Sequence, residues 1–141
     1  METHGFFTPE TTEQARERYA SLGPTAKGVV REVARAMEFD GDEYGERVTD
    51  EVVETARDAL FASLLEVRTG TRGEFDEWQS GSDLEVVEVG SENVDHVAWH
   101  APPFSETAVA ATYQNQPEAA VETLRRQAFG RIYRDVLGEE P

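Results

Sequence analysis

One stretch of this chain leaves few folds open. From Val52 to Val67 it reads Val-Val-Glu-Thr-Ala-Arg-Asp-Ala-Leu-Phe-Ala-Ser-Leu-Leu-Glu-Val. Val52, Val53, Ala56, Ala59 and Leu60 recur at helical spacing, and Leu60-Phe61-Ala62-Ser63-Leu64-Leu65 is apolar nearly all the way round. A helix of that kind must be covered on several sides. It is read as the centre of the core, with Leu60, Leu64 and Leu124 expected to be fully buried.

A length of 141 residues suits a single α+β domain spanning 1–141. Its 29 Asp and Glu against 13 Lys and Arg give a formal net charge of -16, and Lys27 is the lone lysine. Such a surface repels itself in dilute buffer, but the Debye length falls to about 3 Å at 1 M salt. The composition therefore reads as halophilic adaptation, placing the protein in the cytoplasm of a salt-adapted, haloarchaeal cell. A disordered acidic tail does not fit, because 38 % of the residues are hydrophobic and they are patterned. The absence of cysteine removes disulfides, thiolate nucleophiles, iron-sulfur clusters and Cys-based zinc sites. The start, Met-Glu-Thr-His-Gly-Phe-Phe, has no basic region leading into a long apolar run, and no segment approaches the roughly 20 apolar residues of a membrane span.

Thr8-Pro9-Glu10 reads as a helix start, Ala15, Tyr19 and Leu22 as its apolar face, and Gly23-Pro24 as its end. Val29, Val30, Val33, Ala34 and Met37 form the stripe of a second helix, and the central helix is capped by Thr49 or Asp50 and stops before Thr69-Gly70. Glu74 to Gln79 is expected to bring Phe75 and Trp78 to one side of a short helix. Leu84 to Val89 and Val94 to Ala101, separated by Gly90-Ser91-Glu92-Asn93, read as an antiparallel hairpin, and Thr107 to Tyr113 as a third strand, although its alanines also suit a helix. A long helix from Pro117 to Leu137 closes the chain. The expected fold is α+β, mostly α: helices around a central helix, with a two- or three-stranded antiparallel sheet before the last helix.

Two runs, Gly90-Ser91-Glu92-Asn93-Val94-Asp95-His96-Val97-Ala98-Trp99-His100 and Leu124-Arg125-Arg126-Gln127-Ala128-Phe129-Gly130-Arg131-Ile132-Tyr133, together with the opening Gly-Phe-Phe-Thr-Pro, resemble a haloarchaeal family of uncharacterised proteins. The likeness covers nearly the whole chain. It implies the same habitat and carries no activity.

Three constellations are candidates for chemistry. On a strand His96, Ala98 and His100 share a face, so two imidazoles could grip a divalent cation with a carboxylate as third ligand and His4 returning from the N-terminus; the plainer reading is an edge strand or hydrogen-bonded structural histidines. Asp40, Asp42, Gly45 and Glu51 half match a calcium loop, but Tyr44 replaces a ligand and Arg47 adds a cation, so the stretch reads as an acidic interhelical loop. In the last helix Val121, Leu124, Ala128, Phe129, Ile132 and Val136 form an apolar arc with Arg125 inside it. A guanidinium there needs an acid or carbonyl, with Glu85, Glu88 or Asp95 the expected partner in a structural ion pair, or else it binds an anion at a pocket mouth.

No phosphate loop, nucleophile elbow or Ser-His-Asp order is present. Four arginines in ten residues are thin ground for nucleic-acid binding on so acidic a chain. The reading is a non-enzymatic protein acting through a protein partner or as a homo-oligomer, with no catalytic residue and no cofactor. The alternative is a metal- or small-anion-binding enzyme using His96, His100 and Arg125. A pocket where those three converge with a carboxylate favours the enzyme; an exposed apolar patch at Trp99, Phe104 or Tyr133 favours the partner.

Overall fold

The computed structural model describes residues 1–5, 7–91 and 94–138; Phe6 of the opening run and Glu92 and Asn93 of the expected turn lie outside the described residues. The elements run β1 (Glu2–His4), α1 (Thr12–Ser21), α2 (Gly23–Ala36), α3 (Gly41–Arg47), α4 (Asp50–Leu64), β2 (Val67–Thr71), α5 (Arg72–Ser80), β3 (Glu85–Val89), β4 (His96–His100), β5 (Thr107–Tyr113) and α6 (Pro117–Ala128). A π-helical turn, Phe129–Tyr133, then leads into α7 (Arg134–Gly138). The chain is α+β, and its described strands form a five-stranded mixed sheet in the order β1-β2-β4-β5-β3.

That sheet corrects two expectations. It is larger than two or three strands, and β3 makes no hairpin with β4: it pairs in parallel with β5, Val87 opposite Val109. The reason lies in β2, a strand hidden in what reads as the tail of the central helix. α4 ends at Leu64 because Leu65 turns to extended backbone (φ -63°, ψ 132°), and Val67, Thr69 and Thr71 then alternate at period two. β2 runs antiparallel to both β1 and β4, and β5 runs antiparallel to the other edge of β4. With both edges of β4 occupied, β3 takes the free edge of β5.

The helices start where side chains satisfy their first free amides. Thr11 caps α1 through the Gln14 N–H at 3.1 Å, three residues beyond the expected Thr8, and Pro9 is buried ahead of it. The first helix ends before Gly23-Pro24, as expected, and α2 opens there at once, with Leu22 serving as the last cap of α1 and the first of α2. Thr49 caps α4 as expected, and Thr71 with Glu74 forms a reciprocal capping box for α5.

The sheet has a core on each side. Phe75 on α5 packs with Val97, Trp99 and Ala110, and Trp78 stacks on Phe75 at 5.7 Å, as the spacing predicts. On the other side α1, α4, α6 and the π turn cover Val67, Ala98, Val109 and Ala111. α4 is central there, but through Phe61, whose ring meets Phe7, Tyr19, Phe129 and Tyr133 edge-on at 5.2–6.0 Å. Leu124 is fully buried, whereas Leu60 and Leu64 are only partly so, since they flank Phe61 rather than share its direction.

Candidate functional site

The junction between α4 and β2 must satisfy three consecutive carbonyls that neither element uses. Each is met by a different part of the chain. The Leu64 carbonyl accepts from the Phe7 N–H at 3.0 Å, that of Leu65 from Arg125 Nε at 2.9 Å, and that of Glu66 from His100 Nδ1 at 2.6 Å. Because a carbonyl only accepts, Nδ1 carries the ring proton of His100, and Nε2 accepts from the Tyr133 hydroxyl at 2.7 Å. Burial pushes the His100 pKa down to about 4 and the Tyr133 phenol up, so both stay neutral near pH 7. Burial also lowers Arg125, opposed by Glu122. The chain itself passes tightly here: Gly5 has φ +86°, and a Cβ on it would lie 2.6 Å from both Arg125 Nη2 and the Leu65 oxygen.

These placements answer the sequence candidates one at a time. Arg125 does take a carbonyl, as one of its two expected partner types, but none of Glu85, Glu88 or Asp95; Glu88 is held instead by Arg72 at 3.0 Å, across the sheet face that α5 covers. His96 and His100 share a strand face, yet four residues of strand separate them by about 13 Å. Both ring nitrogens of His100 are engaged, while His96 stacks on Tyr113 at 5.3 Å and its Nδ1 is buried without a partner. His4 does return, in β1, where its Nε2 lies 3.3 Å from Thr69 Oγ1. No group of three or more His, Asp or Glu able to hold a metal occurs among the described residues. The half-matched calcium loop is not a loop: Gly41–Arg47 is helical, and Asp40 is spent capping it through the Glu43 N–H at 2.8 Å. Tyr133, outside the apolar arc of a straight helix, is fully buried because the wider π turn rotates less per residue after Phe129 and brings it back toward that arc.

The exposed apolar surface lies elsewhere. Trp99 and Tyr133 are buried, whereas Val29, Val33, Met37 and Val52 are 41–59 % exposed along α2 and α4. They border a groove of about 430 Å³ whose walls also include Val30, Ala34, Phe39, Val48, Ala56 and Ala59. The stretch at one end, Glu38 to Glu51, holds Glu38, Asp40, Asp42, Glu43, Glu46, Asp50 and Glu51 against Arg47, and of these charges Arg47, 5.5 Å over the Phe39 ring, is the one that lines the groove itself. The stripe on α2 was legible; that α4 would cover only half of it was not.

No described helix is long and apolar enough to cross a membrane. The profile of a family described as "Family of unknown function (DUF5809)" matches residues 6–134. No curated protein and no solved structure matches the chain.

Proposed function

The chain belongs to that family of unknown function, and we propose that it is a non-enzymatic interaction domain of a salt-adapted cytoplasm, receiving an amphipathic helix of a protein partner between α2 and α4. The observation that carries this reading is the apolar groove. From Val29 to Met37 its α2 wall runs about 12 Å, enough for two to three turns of a docked helix. The acidic segment at its end favours basic residues flanking the docked apolar stripe. His100 and Arg125, the strongest candidates for chemistry, are occupied in holding the α4–β2 junction.

Calorimetric titration with a synthetic helix tests it, using leucines at i, i+3, i+4 and i+7 and either lysine or glutamate flanks. The lysine-flanked peptide is expected to bind saturably and better than its counterpart, with the gap narrowing in molar KCl as charges are screened. Val33→Glu, at an exposed position, should abolish binding without unfolding the domain. Failure of both peptides to bind would refute the reading, and a dimer that Val33→Glu dissolves would replace the partner with a second copy. The habitat stands on a separate measurement: the thermal midpoint should climb from dilute buffer to molar KCl, and a flat response would overturn it.

A further inference from the structure

On the side of α4 away from the groove, α1, α4, the π turn and α7 enclose a cleft of about 470 Å³, within the range of small-molecule sites. Its walls include Tyr19, Arg57, Asp58, Phe129, Arg134 and Leu137. The Tyr19 hydroxyl donates to Asp58 Oδ1 at 2.6 Å, and the Arg57 guanidinium lies 4.1 Å over the Tyr19 ring. Arg134 lies 5.8 Å over Phe129. Carboxylates outnumber bases by 29 to 13 in this chain, and even the exposed Arg35 finds Glu32 at 3.0 Å. Yet no ion pair joins Arg57 or Arg134 among the described residues. A guanidinium over a ring keeps donors that can still meet a carboxylate, and the neighbouring hydrogen-bond partner of those on Arg57 among the described residues is the Tyr19 phenol.

We infer that this cleft binds a small monocarboxylate through Arg57 and Arg134, with the apolar body of the ligand against Phe129 and Leu137. A second negative group is unwelcome, because Glu54 and Asp58 share the wall. Inorganic phosphate, largely a dianion at neutral pH, is therefore a poor occupant. A carboxylate on an apolar chain belongs either to a free acid or to the C-terminal residue of a peptide, and two probes separate these sources: 4-methylpentanoate for the first, N-acetyl-leucine for the second.

The test is an NMR titration of the native protein at constant ionic strength, following the arginine Nε–H resonances. At least one acid should bind saturably and move both Arg57 and Arg134, the tighter probe naming the source, while phosphate leaves them in place. Arg134→Gln, at an exposed side chain, should weaken binding about tenfold or more, and Arg57→Lys, which keeps the charge but loses the fork, should also weaken it. Circular dichroism verifies that each variant is folded. Binding of neither acid, binding untouched by both substitutions, or phosphate binding as well as the acids overturns the inference. Val33→Glu in the α2–α4 groove should leave this binding unchanged, so the two sites fail or stand separately.

Discussion

Phe61 meets two tyrosines, Tyr133 at the α4–β2 junction and Tyr19 at the cleft, and the arginines of those two neighbourhoods dispose of their hydrogen-bonding capacity differently. At the α4–β2 junction the Arg125 Nε–H goes to the Leu65 carbonyl and the Tyr133 hydroxyl to His100. In the cleft Tyr19 is similarly tied to Asp58, but Arg57, whose guanidinium lies 4.1 Å over the ring and also neighbours the phenol, makes no ion pair among the described residues. In the first arrangement the polar atoms serve the backbone and one another. The second borders a cavity. Composition does not separate them, since each is an arginine, a tyrosine and a polar third group; what separates them is whether the chain itself supplies the acceptor.

The largest expected effect removes what the two share. Phe61 touches both tyrosines, so Phe61→Ala should cost about 3 to 5 kcal/mol and loosen both neighbourhoods together. Chemical denaturation measures the loss, and a cost near that of a surface change would mean the aromatic hub is not what joins them. Next comes acid. The unfolded chain protonates histidine near 6.5 while folded His100 resists until about 4, so its contribution is intact above 6.5 and disappears as pH falls toward 4, amounting to about 3 kcal/mol at most. The many carboxylates titrate nearby, so the informative quantity is the difference between the parent and His100→Gln across that window. If the two profiles run parallel, His100 is not held neutral by burial.

Smaller effects sharpen the contrast. Tyr133→Phe strands the buried His100 Nε2 and should cost about 1 to 3 kcal/mol, whereas Tyr19→Phe, whose partner Asp58 keeps access to the cleft, should cost about 1 kcal/mol or less. Equal costs in thermal unfolding would erase the distinction. Smallest of all, Arg125→Met should lose about 1 kcal/mol or less, because an unbranched chain fills the same space and only one carbonyl bond is given up.

Local features of the fold were readable and the pairings were not. Thr107 to Tyr113 is a strand with the expected ends, Pro117 opens α6, and Phe75 meets Trp78, because each depends on a period or cap within a few residues. β2 was concealed by the neighbouring helix, whose apolar run continues through Leu65 into Val67 without a break in composition. The β3–β5 pairing depends on which edge is left free, a property of the whole sheet. Of the candidate site, the need of Arg125 for an acid or carbonyl followed from its place on the wheel, but the free Leu65 carbonyl follows only from where α4 stops. The three runs that carried the family likeness do meet in space: Gly5 and Phe7, His100, and Arg125 with Tyr133 all gather at that junction. The cleft had a quieter signal, since Glu54, Arg57 and Asp58 fall on the same arc of the α4 wheel as Phe61.

The strand order also sets a schedule. β1 waits for β2, with Glu2 opposite Thr69, and β3 waits for β5, with Glu85 opposite Thr107, so strands made early are held open for strands made late. As the chain emerges during synthesis, α1 to α4 come first, and the sheet that buries Phe61 is incomplete until Tyr113 is out and α6 can close over it. Such long-range closure favours slow, concerted assembly. Amide hydrogen exchange should accordingly find β2, β4, β5 and α6 opening together as the most protected unit, while α3, short and without a buried residue, exchanges early and by itself.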